Sequence, residues 1–110
     1  MQLLTEDGRV VAGEVERAST FVQRGLGLMF RASLPPEHGL AITPCNSIHM
    51  FFMRFALDVA FLDREGRVVR VYRGIRPWRV SRIVRGARTA VEWPVWTLVG
   101  VEVGDVLRLV

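Results

Sequence analysis

FALDVAFLDREGRVVRVY, residues 55–72, is the stretch on which the fold turns. Residues 55–62 are apolar except for Asp58 and are bounded by Arg54 and Asp63. The Asp-Arg-Glu-Gly that follows has the composition of a turn, and Val68, Val69 and Val71 then make a β-branched run. A short apolar run, a turn and a β-branched run read as a hairpin whose first strand is buried on most sides. Asp58 falls in the middle of that strand. An isolated carboxylate there costs several kcal/mol unless an arginine or backbone amides hydrogen-bond it.

Moving upstream, residues 45–54 bring Cys45, His49, Met50 and Met53 close to this hairpin, so most of the chain's reactive groups are gathered there. Toward the N-terminus, Asp7-Gly8 favours a tight turn with positive φ and predicts an opening hairpin with arms at residues 2–5 and 9–16. In the second arm Val11, Gly13 and Val15 alternate with Ala12, Glu14 and Glu16, which buries one face. Ser19 or Thr20 can cap a short helix over 20–25, and residues 28–39, with Pro35-Pro36, form a loop whose anion-binding group is Arg31. Strands are expected at 39–43, ended by Pro44, at 83–84 and at 89–93. An irregular crossing loop is expected at 73–82, a single helical turn over 94–100 and a last strand at 106–110.

This pattern predicts a mainly β, compact antiparallel sandwich or barrel-like single domain, residues 1–110, with one or two short helices. The N-terminus lacks a cationic start and an apolar segment of the secretory kind, and no run reaches transmembrane length. A cytoplasmic protein with no membrane span is therefore expected, and a lone cysteine fits a reducing compartment. All 15 basic residues are arginine, nine of them at every third position from Arg64 to Arg88. That segment carries net +8 against −4 for the rest. A spacing of three cannot line one face of a strand, where side chains alternate, so these arginines are expected to scatter over a solvated surface. An anion-binding patch is the other reading.

GLMFRASLPPEHGL (27–40), SIHMFFMRFALDVAFLDREGRVV (47–69), VEWP (91–94) and GVEVGDVL (100–107) together resemble the DUF192 family of small bacterial and archaeal domains of unknown function. Against the family's usual block S-I-W-M-K-N-T-x-I-P-L-D-I-A-F-I-D, Ser47, Ile48, Met50, Leu57, Asp58, Ala60, Phe61 and Asp63 agree. His49 stands for the tryptophan, Phe51, Phe52 and Met53 for the polar trio, and Ala56 for the proline. The resemblance implies a compact β-sandwich-like domain and no assigned activity.

Four residues are the candidate site: Arg31, His49, Asp58 and Glu92. Arg31 offers a planar fork for an anion, His49 a switchable donor or acceptor, and Asp58 an anchor for Arg31 or for a ligand. Glu92 must face opposite to Val91 and Trp93, as a solvated outer residue or as part of a polar site. Phe51 and Phe52, if exposed, add apolar contact, whereas Trp78, Trp93 and Trp96 read as core or rim packing. Cys45 and His49 are too few for a metal site without a third ligand such as His38, so no metal or cofactor is expected. The favoured function is an accessory module that binds a small anionic ligand or a protein without catalysis. The alternatives are a small hydrolase using Asp58 and His49, and a binder of nucleic acid or an anionic surface through residues 64–88.

Overall fold

The computed structural model describes residues 1–18, 33, 38–95 and 100–110. Eight strands run through them: β1 (Leu3–Thr5), β2 (Val10–Ala12), β3 (Glu14–Ala18), β4 (His38–Ile42), β5 (Leu57–Leu62), β6 (Val68–Ile75), β7 (Thr89–Pro94) and β8 (Leu107–Leu109). They form a five-stranded sheet in the order β3-β4-β7-β5-β6 and a three-stranded sheet in the order β2-β1-β8. The mainly β expectation holds. Every strand pair is antiparallel except β3 with β4, which run parallel. The short helix expected over 20–25 and the interior of the helical turn expected over 94–100 lie outside the described residues. Pro94 ends β7 rather than opening a helix.

The hairpin at 55–72 forms as its composition dictates. All six residues of β5 are buried, because β6 and β7 pair with it on either side and both of its faces are covered. Its turn is closed by Asp63, whose Oδ1 accepts the Glu65 and Arg67 amides at 2.9 Å, and by Gly66 at φ +84°. A Cβ at Gly66 would run into the backbone oxygen of Leu107, so only glycine satisfies both the angle and the space. The opening hairpin also forms, with Gly8 at φ +91°. Its second arm, however, is not one strand. The chain breaks at Gly13 and passes from the small sheet (β2) to the large one (β3), so the buried residues are Ala12, Val15 and Ala18.

Alternation assigns each strand residue to one of two apolar layers on opposite faces of the five-stranded sheet. The first layer holds Ala41, Ala60, Leu62, Val91 and Trp93 and is capped by Leu3, Ala12 and Leu107 of the small sheet. The second holds Leu40, Ile42, Leu57, Val59, Phe61 and Ala90 and is capped by Ile48, Met50 and Met53. Those caps sit on an irregular ribbon. Residues 46–50 run antiparallel to 78–84 through hydrogen bonds from Val84 N to Asn46 O, Ser81 N to Ile48 O and Met50 N to Arg79 O, and through the bridge His49↔Val80. The strand expected at 83–84 is thus an arm of this ribbon, outside both sheets.

The largest core side chain is Trp93, fully buried and lying on Gly39. A Cβ at Gly39 would stand 2.6 Å from Trp93 Nε1, so glycine is required by close approach rather than by backbone angle. Among the described residues the buried indole N–H has no hydrogen-bond partner. That omission costs on the order of 1–3 kcal/mol, which the surrounding apolar packing must exceed.

Candidate functional site

Of the four predicted site residues, Arg31 lies outside the described residues. The other three do not converge. Asp58 is the register partner of Trp93, which puts its side chain in the layer under the small sheet. Glu92 is the register partner of Val59 and Leu40, which puts it in the layer under the ribbon. Two carboxylates on neighbouring strands therefore point to opposite faces of the same sheet and cannot act together as acid and base. His49 is exposed on the outer side of the ribbon.

Asp58 clamps an irregularity in the sheet. Leu57 pairs with Ile75 and Val59 with Tyr72, so Arg73 and Gly74 together oppose Asp58, and β6 bulges there. Asp58 Oδ1 accepts the Gly74 amide at 2.8 Å, satisfying a donor that the bulge takes out of the ladder. Gly74 itself takes φ +66°. Glu92 has no such partner: no described residue gives it a hydrogen bond or an ion pair, and it is 5% exposed. Burial pushes its carboxyl up from 4.5 to about 7. The solvated outer-face reading of Glu92 is thus overturned, because the ribbon buries the face that opposes Trp93.

Cys45 Sγ donates to Ser47 O at 3.0 Å and borders a small cavity of about 280 Å³ with Arg88. Met50 and Met53 point into the core, His38 stands at the start of β4 beside Glu14, and no cluster of three metal ligands exists among the described residues.

The feature built most deliberately is the end of the ribbon. Two β-turns meet there: Met50–Phe51–Phe52–Met53, closed by Met53 N to Met50 O at 3.3 Å, and Arg76–Pro77–Trp78–Arg79, closed by Arg79 N to Arg76 O at 3.3 Å. Met50 O also accepts Trp78 N at 2.7 Å, stitching one turn to the other. In both turns the third residue is left-handed, Phe52 at φ +62° and Trp78 at φ +69°. A turn of this kind favours proline second, as Pro77 is, and glycine or asparagine third. A bulky aromatic in that position costs about 1–2 kcal/mol. The backbone thereby holds Phe52 and Trp78 side by side in solvent, centroids 5.0 Å apart. Phe51 lies 5.9 Å from Trp78, and His49 stacks on Phe51 at 5.0 Å and 27° while its Nδ1 accepts the Phe51 amide.

The exposed fractions are 41% for Phe51, 48% for Phe52 and 58% for Trp78; on the same ribbon arm Val80 is 61% exposed, and Ile83, toward the ribbon's other end, 72%. Trp78 therefore does not pack in the core, while Trp93 does; Trp96 lies outside the described residues. A signal for Trp78 was present in Arg-Pro-Trp-Arg, where a turn-forming proline and two charges flank the ring.

The arginines divide as period-two geometry requires. Arg67 and Arg73 reach the 101–104 segment, Arg67 Nη1 on Gly104 O at 2.8 Å and Arg73 on Val101 O and Glu102. Arg70 lies over the Tyr72 ring on the other face, at 5.0 Å. Arg54, Arg76, Arg79, Arg82, Arg85 and Arg88 are exposed. Residues 46–57 and 76–91, which build the ribbon and its approaches, contain no aspartate or glutamate.

These features define a two-sheet β domain with sealed carboxylates inside and an arginine-flanked aromatic tip outside. The chain belongs to the DUF192 family, whose model, described as an uncharacterized ACR, matches residues 2–109. It is 41% identical over 101 residues to the UPF0127 protein PYRAB11210 of Pyrococcus abyssi, covering 84% of this chain and 83% of that protein. It is 39% identical over 108 residues to a UPF0127 protein of Thermococcus gammatolerans, covering 91% and 69%. A crystal structure of a protein of unknown function from Novosphingobium aromaticivorans shares the fold, with a TM-score of 0.84 over 98% of this chain and 82% of that one at 21% identity.

Proposed function

We propose that this domain is a non-enzymatic binding module whose working surface is the ribbon tip, His49, Phe51, Phe52 and Trp78, together with Arg54, Arg76, Arg79 and Arg82. The observation that carries this reading is the pair of left-handed aromatics. Strained bulky residues persist only where something other than stability favours them, and such outliers gather at ligand-contacting sites. Here both strained residues are apolar, adjacent and exposed, which points to contact with a partner. The surrounding arginines and the absence of carboxylates from residues 46–57 and 76–91 select an anionic partner.

In this reading His49 keeps the binding role its sequence context gave it, while Asp58 serves the sheet and Glu92 lies buried beneath the ribbon, away from the tip. The reading places the module in the cytoplasm, where a lone thiol such as Cys45 is chemically at home. The hydrolase alternative draws no support from Asp58 and His49, which do not face a common space.

Retention on a phosphate-rich resin tests the proposal. Wild type is expected to be retained and to elute earlier with rising salt, because each neutralised phosphate releases counterions. The double variant Arg76→Gln, Arg79→Gln is expected to elute at lower salt than Arg108→Gln, which removes one exposed arginine from the small sheet. Equal elution of the two variants would remove the ribbon tip as the anion-binding face.

A further inference from the structure

From the side chains at the ribbon tip we infer that its partner is an anionic lipid surface, onto which the two turns dock with their aromatic rings in the headgroup layer. The inference rests on the anionic-partner reading above and names the source of the charge. Three observations select lipid.

The first is the mixture of side chains. Val80, two residues from Trp78, is 61% exposed, and Ile83, further along the same ribbon arm, is 72% exposed. Aliphatic groups add nothing to base stacking, but they partition into the interfacial region together with tryptophan and phenylalanine. The second is ring geometry. Phe51 and Phe52 tilt 41° and 59° from Trp78 with centroids under 6 Å apart. Rings packed against one another at such angles offer no common plane for successive bases, whereas insertion among headgroups requires no common plane. The third is charge. Arg54 follows the first turn, Arg76 and Arg79 begin and end the second, and Arg82 lies on a ribbon arm, all exposed, while residues 46–57 and 76–91 carry no carboxylate. A lipid phosphate layer offers acceptors in every direction, and each guanidinium can take a phosphate through its fork. A protein partner would have to set carboxylates in register at each of these points.

Attachment of this kind needs no spanning segment. No described helix is long and apolar enough to cross a membrane, and the tip would enter only the interface. The two strained turns then have a use: they fix the rings outward before contact, so little conformational freedom is lost on docking.

The experiment is co-sedimentation of the full chain with vesicles of phosphatidylcholine alone and of equal parts phosphatidylcholine and phosphatidylglycerol, at low and high salt, with oligothymidylate as competitor. The inference expects binding to the anionic vesicles, little to phosphatidylcholine, and release by salt. Phe52→Asn and Trp78→Asn should each lower the partition coefficient about tenfold, since each removes a half-exposed ring that lipid would cover. The two asparagines suit left-handed turn positions, which offsets the lost ring contacts, so melting temperatures should stay close to wild type, which separates lost binding from lost folding. Arg76→Gln with Arg79→Gln should lower partition about 25-fold, near fivefold per arginine, and Arg108→Gln should do far less.

Failure to sediment with anionic vesicles, or sedimentation unchanged in the Phe52→Asn, Trp78→Asn double variant, overturns the inference. If oligothymidylate binds and strips the protein from vesicles, nucleic acid is the partner: the lipid assignment fails and the anionic-partner reading survives. If resin, oligonucleotide and vesicles all fail to bind, both readings fall together.

Discussion

The five-stranded sheet is covered twice, and the two covers are built differently. Over the Trp93 face lies the three-stranded sheet, whose own hairpin turns at Gly8 and whose β8 packs on Gly66 in the β5–β6 turn of the large sheet. Over the Phe61 face lies the ribbon, whose turns place Phe52 and Trp78 at angles that glycine would adopt without strain. The carboxylates follow the same division. On the first side Asp58 finds a backbone donor at the bulge, while on the second Glu92 is buried with no described partner. The first side satisfies its local rules of turn geometry and carboxylate pairing, with the buried Trp93 indole N–H as an exception. The other departs from them at its tip and again beneath its cover, and a protein that departs from local rules in one region points to the region under selection for something besides stability.

The sharpest test of this contrast is pH. Glu92 holds its proton in the folded state up to about pH 7, whereas the unfolded chain releases it near 4.5. Its contribution to stability is therefore fully present below about pH 4.5 and is lost as pH rises toward 7, a change of about 3 kcal/mol. Urea titrations across that window should show wild type weakening with pH and Glu92→Gln nearly flat over the same range. A flat wild-type profile would mean that Glu92 is solvated and the two sides are alike.

Next in size is the glycine cover. Gly66→Ala forces a Cβ toward Leu107 O at φ +84° and should destabilise by about 2–3 kcal/mol in chemical denaturation. The ribbon should behave oppositely. Phe52→Asn relieves left-handed strain and loses one ring contact with Trp78, so its stability should lie within about 1 kcal/mol of wild type or slightly above it. A loss as large as that of Gly66→Ala would make the aromatic tip a structural element and erase the contrast.

The large sheet's central hairpin and the small sheet's opening hairpin were far more legible in the sequence than the ribbon. Residues 55–72 announce a hairpin because apolar run, turn and β-branched run are all local signals. Asp7-Gly8 announces another for the same reason. The parallel pairing of β3 with β4 and the change of sheet at Gly13 were not legible, since both depend on where distant strands lie. The opposite facing of Asp58 and Glu92 needed the register between β5 and β7, which alternation within either strand cannot supply. Burial of Glu92 was hidden because nothing in TAVEWP tells that its second face is covered by a ribbon drawn from residues 46–50 and 78–84. At the candidate site His49, Phe51 and Phe52 stood out from composition alone. Trp78 did not, because an apolar ring in a chain of this size is more often core than surface.

The pairing of β1 with β8 has a kinetic consequence. Leu3 lies opposite Leu109, residues separated by nearly the whole length of the chain, whereas β5 and β6 are joined by a short turn. Closing the long loop is entropically expensive until the large sheet exists, so β1 and β8 should dock late. In stopped-flow folding, Val59→Ala in β5 is expected to slow refolding, and Leu109→Ala in β8 to act chiefly by accelerating unfolding. The strands that close the domain would thus be the last to enter the native structure and the first to leave it.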